Sequence, residues 1–150
     1  MERNVYISIK GMHSAERDDD YGEVEVVAQG KYYERNGKYY ISYEESRQND
    51  GKAGRATVKV DEDSVIVNQP GSFGASLCFE QGKRTTLFYH TPFGVLEIGV
   101  LTKSLEMDLK EHNWKIHISY FLDINKHYMG EHYVHILVQD REGEPQIRLI

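Results

Sequence analysis

Apolar residues along this chain recur at every second position rather than at the spacing of three and four that marks an amphipathic helix. Val5, Ile7 and Ile9 alternate with Tyr6, Ser8 and Lys10. Val24, Val26 and Ala28 alternate with Glu23, Glu25 and Gln29, and Ile116, Ile118 and Tyr120 with Lys115, His117 and Ser119. Successive side chains of a strand point to opposite faces, so each run reads as a half-buried strand. Similar runs occur near 39–45, 54–60, 64–69, 75–80, 84–90, 94–109 and 132–139, separated by short polar turns. About ten strands without intervening helix patterns predict an all-β sandwich or barrel, with strands joined mostly neighbour to neighbour.

Loop lengths then fix which residues oppose one another. Asn36-Gly37 is a two-residue hairpin signal, because a type I′ turn needs positive φ at both central positions. It pairs Arg35 with Lys38, Tyr33 with Tyr40, Tyr32 with Ile41 and Gly30 with Tyr43, and glycine at 30 leaves room where Tyr43 would meet a side chain. A four-residue loop at Asp61–Ser64 sets Val60 and Val58 against Val65 and Val67. A loop at Gln81-Gly82-Lys83 sets Leu77 against Leu87 and Ala75 against Tyr89. Thr91-Pro92-Phe93-Gly94 sets Tyr89 and Leu87 against Leu96 and Ile98, and Lys110–Asn113 sets Leu109, Met107 and Leu105 against Trp114, Ile116 and Ile118. The five turns agree on one inner face. Leu96, Ile98 and Val100 stand at even positions and Leu105, Met107 and Leu109 at odd ones, so near Leu101 to Ser104 the strand either bulges or bends and changes partner; the bulge is the favoured reading, and it helps the sheet curl.

Composition narrows the function classes. At 150 residues the chain is the size of one domain, 1–150, and 39% apolar with three prolines excludes a disordered or collagenous chain. No stretch approaches eighteen consecutive apolar residues, and the first twelve lack the apolar run of a secretion signal, so the expectation is a cytoplasmic protein that does not span a membrane. The single cysteine, Cys78, fits a reducing compartment and supplies no disulfide. A net charge of −6 has the wrong sign for a nucleic-acid partner.

The segments Gly30-Lys31-Tyr32-Tyr33, Tyr39-Tyr40-Ile41-Ser42-Tyr43-Glu44, Tyr89-His90-Thr91-Pro92-Phe93-Gly94-Val95-Leu96-Glu97 and Thr102-Lys103-Ser104, in that order and spacing, resemble the YwiB-like family of uncharacterised small bacterial proteins. The resemblance runs from about residue 3 to about residue 140. It implies a closed antiparallel, mostly up-and-down, lipocalin-like (calycin-like) β-barrel of about eight to ten strands in a cytoplasmic bacterial protein, with 141–150 as a C-terminal tail. It carries no activity or catalytic residue across.

Chemical motifs are sparse. His117, His132 and His135 share a proposed hairpin, but His132 and His135 are three apart and so face opposite ways, and His117 is a diagonal neighbour of His135; no metal site is predicted. Cys78 lacks an identifiable base or oxyanion donors, and the Asp18-Asp19-Asp20 and Glu44-Glu45 clusters lack calcium-loop spacing. Nucleotide-binding and nucleophile-elbow motifs are missing, so catalysis and a cofactor are not expected. Tyrosine stands out, with eleven residues, and the registers put Tyr32, Tyr43, Tyr89 and Tyr120 on the inner face. A tyrosine buries a ring while its hydroxyl asks for a partner. One reading is therefore a barrel that binds a small, partly apolar ligand through these four. The other is a packed barrel acting as an interaction or structural module, including a homodimer, through outer aromatics such as Tyr33 opposite Tyr40 and Phe121 opposite Tyr133.

Overall fold

The computed structural model describes residues 2–13, 22–46, 53–68, 76–110 and 113–141. Its elements are β1 (Glu2–His13), β2 (Gly22–Arg35), β3 (Lys38–Ser46), β4 (Ala53–Val60), β5 (Ser64–Asn68), β6 (Ser76–Glu80), β7 (Arg84–Thr91), β8 (Gly94–Lys110), β9 (Asn113–Ile124) and β10 (His127–Asp140). All pair antiparallel in one sheet of order β6-β5-β4-β3-β2-β1-β10-β9-β8-β7, a meander whose first and last strands meet through the β1/β10 ladder. The barrel is nearly closed.

Most expected registers hold. Tyr33 pairs with Tyr40 and Gly30 with Tyr43; Val60 with Val65 and Val58 with Val67; Tyr89 with Leu96; Leu105 with Ile118. The β8/β9 register shifts between Thr102 and Ser104, so the bulge lies where the change of parity put it. The turn at Asn36 (φ 53°) and Gly37 (φ 77°) has both residues left-handed. A Cβ on Gly37 would meet nothing within 4 Å, so Gly37→Val acts through the backbone alone and is expected to cost about 1–2 kcal/mol. Denaturant unfolding should show a lower midpoint at unchanged slope.

The expected β6/β7 hairpin does not form. Leu77 pairs with Val67 of β5 instead of Leu87, and Ala75 lies outside the described residues. The reason is that the turn itself is taken up by β8: the Gly82 N–H donates to the Thr102 carbonyl at 2.9 Å and the Thr102 N–H to the Lys83 carbonyl at 3.1 Å. These bonds prolong the β7/β8 ladder, and β6, without a ladder to β7, is bridged to it by the Thr85 hydroxyl donating to the Cys78 carbonyl at 3.3 Å. Closure of the barrel thus runs through the bulged middle of β8.

Inside, Val5, Ile7, Ile41, Val58, Val60, Val65, Val100, Ile116, Ile118 and Ile136 are at most 1% exposed. Branched side chains on facing strands fill the middle of the barrel, the composition that packs well on a pleated surface.

Candidate ligand-binding site

One end of the barrel is sealed. Trp114 of β9 is buried and meets Tyr32 of β2 edge-on, ring centroids 5.5 Å apart, and Tyr39 of β3 at 5.6 Å. Tyr32 also stacks on Tyr39 at 6.0 Å. Edge-to-face and offset contacts of this kind suit the ring quadrupoles. Burial, then Glu34 and Tyr39, pushes the Tyr32 hydroxyl above the usual tyrosine value. Beside this cluster Arg3, opposite Tyr32 on β1, donates to Asp140 at 2.6 Å. Tyr43, 1% exposed, lies on the next row, opposite Gly30 and Ala56.

The interior is different along the row that joins β8, β9 and β10. Thr102 is opposite Tyr120, and Tyr120 is opposite His132. Directly opposed residues share a face, and Thr102 continues the inner set of Ile98 and Val100, so all three look inward. The Tyr120 ring packs against buried Phe79 of β6 at 5.0 Å and stacks on His132 at 5.5 Å, and His132 Nε2 is 3.2 Å from the Met129 carbonyl. Burial pushes the Tyr120 hydroxyl up to about 12, so it stays protonated throughout the stable pH range and can donate. Thr102 is 1% exposed, and its Oγ1 has no hydrogen-bond partner among the described residues, although both its backbone groups are bonded to the 81–83 turn. A buried hydroxyl without a partner costs roughly 1–3 kcal/mol. Val100, Ile118, Leu122 and Val134, on the adjoining rows, make the surroundings apolar. An apolar lining with two or three convergent polar groups is the composition of a small-molecule site.

Residues 7–136 match the family model described as domain of unknown function (DUF1934). The chain belongs to the DUF1934 family. The uncharacterized β-barrel protein YwiB of Bacillus subtilis (strain 168) is 32% identical over 124 residues, 83% of this chain and 86% of that protein. The crystal structure of the ywiB protein from Bacillus subtilis superposes with a TM-score of 0.74 at 28% identity, covering 93% of this chain and 92% of that one.

Against this DUF1934 barrel, the four tyrosines singled out from the sequence fall into different settings. Tyr32 belongs to the sealed end and Tyr43 to the packed middle, Tyr89 is half-buried on β7 opposite Leu96, and Tyr120 forms the polar row. Thr102 and His132 were not singled out as inward groups. The even-number parity of Ile98, Val100 and Thr102 was the available signal for the first.

On the outer face, Phe121 is opposite Glu131 rather than Tyr133, and His117 is directly opposite His135 rather than diagonal to it. Both corrections follow from a two-residue β9/β10 turn with Asn125 (φ 52°) and Lys126 (φ 69°) left-handed, followed by a bulge between Tyr128 and Glu131. The His117 and His135 rings are 4.4 Å apart, and among the described residues no group of three His, Cys, Asp or Glu converges on a metal position. Burial, then His117 and Lys10, holds His135 below the usual histidine value. The folded state therefore binds the His135 proton less readily than the unfolded chain, so stability is present above the unfolded value near 6.5 and falls as pH drops below it. His135→Gln should flatten that part of the profile in denaturant titrations across the window.

Proposed function

We propose that this barrel binds a small, partly apolar molecule at the end of its interior marked by Thr102, Tyr120 and His132, and that it does so in the cytoplasm. The observation that carries the reading is the buried Thr102 hydroxyl, without a hydrogen-bond partner among the described residues, on the residue opposite Tyr120, whose hydroxyl is desolvated by burial. Native structures pair nearly all such groups, and a ligand carrying one hydrogen-bonding group on an apolar body would pair both. Of the four tyrosines, Tyr120 is then a direct contact and Tyr89 a rim residue, whereas Tyr32 and Tyr43 serve the packed scaffold around the site. The single cysteine suits a reducing compartment; burial, then Glu80, raises the Cys78 thiol and so keeps it protonated.

Native mass spectrometry of protein purified from its own host tests the proposal. A retained small molecule, absent from Thr102→Val with Tyr120→Phe, is the expected result; two ligand-free spectra would reject it.

A second reading, a protein-interaction module, draws on one specific observation. On the β7/β8 hairpin Phe88 is 60% exposed, Val95 51% and Phe93 98%, next to the sheet edge formed by β7, and such edges invite strand pairing. The Tyr33–Tyr40 pair gives this reading less support. Its rings stack at 5.1 Å and are capped by Arg35 and Lys59, each 5.9 Å from a ring centroid, so their faces are already occupied. Sedimentation of wild type and Phe88→Ser with Phe93→Ser checks it: loss of a dimer in the variant is the expected outcome of the module reading, and a monomer throughout is that of the binding barrel.

A further inference from the structure

We infer that the outside of β1–β4 carries a second site, one for a small phosphorylated polyol, independent of the barrel interior. A groove of about 310 Å³ lies there, lined by Asn4, Gln29, Lys31, Ser42, Glu44, Arg55 and Arg141 together with Gly30 and Tyr43. Three cations face one carboxylate in this groove, in a chain whose net charge is −6, so the local field runs against the molecule's overall sign.

The two guanidinium groups are held in place by uncharged partners. Arg55 donates through Nη1 to the hydroxyl of buried Ser42. Arg141 lies over the Tyr6 ring at 5.1 Å and is anchored by its backbone N–H donating to the Asn4 carbonyl at 2.9 Å. Among the described residues neither guanidinium forms an ion pair within 4.0 Å, although Glu44 stands directly opposite Arg55 in the β3/β4 ladder, and the Lys31 ammonium reaches Glu2 only at 3.9 Å, with both side chains more than half exposed. Planar donors that are oriented yet not neutralised are suited to an oxyanion. Cations contributed by β2, by β4 and by the residue after β10 approach from several directions, which a tetrahedral phosphate can satisfy better than a planar carboxylate. Glu44 cannot face the phosphate without repulsion. It is placed to accept from a hydroxyl, and the amide of Gln29 supplies a donor and an acceptor for further hydroxyls. A volume near the lower end of small-molecule sites fits a single sugar-sized body.

Isothermal titration of the full chain with glucose 6-phosphate, with glucose and with inorganic phosphate tests the site. The expected result is saturable one-to-one binding of glucose 6-phosphate, tighter than either fragment, weakened at least about tenfold in Lys31→Gln with Arg55→Gln, which still gives the circular-dichroism spectrum of the folded barrel, and unaltered in Thr102→Val, which alters only the interior. Equal affinity for glucose 6-phosphate and inorganic phosphate, which marks an adventitious ion only, would overturn it. So would undiminished binding in the double variant, or no saturable binding at all.

Discussion

Trp114→Ala is expected to destabilise the barrel by about 3–5 kcal/mol, the range for removing a large buried aromatic and leaving its space unfilled. Trp114 is the keystone of the sealed end, being 3% exposed and in edge contact with both Tyr32 and Tyr39. The cavity would sit among rigid strands tied by backbone ladders on both sides, β8 and β10, so collapse around it is limited. Loss of the ring would also remove the apolar cover beside the Arg3–Asp140 pair, whose side chains are 28% and 19% exposed. Because the variant lacks the chain's tryptophan, unfolding must be followed by circular dichroism. Trp114→Phe, which keeps an aromatic edge, should lose appreciably less. A cost below about 1 kcal/mol for the alanine variant would mean that the end is not packed as described.

Gly30→Ala is the second change expected to have a large effect, at about 1–3 kcal/mol, for the opposite reason. A Cβ at this position would lie 2.7 Å from the Ser42 carbonyl oxygen and 3.3 Å from the Tyr43 Cβ. The nearer of these is backbone and cannot swing aside, so β2 and β3 must separate just where Tyr43 is most buried. Gly11 supplies the control. It is also a strand glycine, on β1, and a Cβ there would meet nothing within 4 Å, so Gly11→Ala should be neutral or slightly stabilising through reduced freedom of the unfolded chain. Comparable losses in the two variants, read from denaturant midpoints, would contradict the close-approach explanation.

Much of this fold was legible because hairpin registers are local. Asn36-Gly37 fixes Tyr33 against Tyr40 within eight residues of chain, and a change of parity between Val100 and Leu105 calls for either an extra residue or a bend with a change of partner, of which the structure has the extra residue. What was not legible depended on distant parts of the chain. The 81–83 turn has the length of a hairpin loop, and only the docking of Gly82 and Lys83 on Thr102, about twenty residues on, diverts β6 from β7. The β9/β10 turn was missed because Asn125-Lys126 puts a lysine at positive φ, which carries little sequence signal. The candidate site suffered more than the fold. Inward direction could be read for Tyr120, but whether a buried hydroxyl finds a partner depends on which side chains cross the barrel to reach it. That decided Thr102, a residue the sequence presents only as part of a bulge; alternation with outward Tyr133 already turned His132 inward, and the misread turn, two residues out of register, only set it against Leu122 instead of Tyr120.

Denaturant unfolding of Thr102→Val beside wild type, each as isolated from its host and again after refolding from denaturant to remove bound molecules, bears most directly on the interior site. In the refolded pair the variant should equal or exceed wild type, by up to about 1–3 kcal/mol, because it deletes an unsatisfied buried hydroxyl while keeping the shape. In the isolated pair the order should reverse, since a ligand bound to the native state alone adds stability that the variant lacks. A variant less stable than wild type by the same amount in both preparations would place the Thr102 hydroxyl in the protein's own hydrogen bonding and contradict the binding barrel.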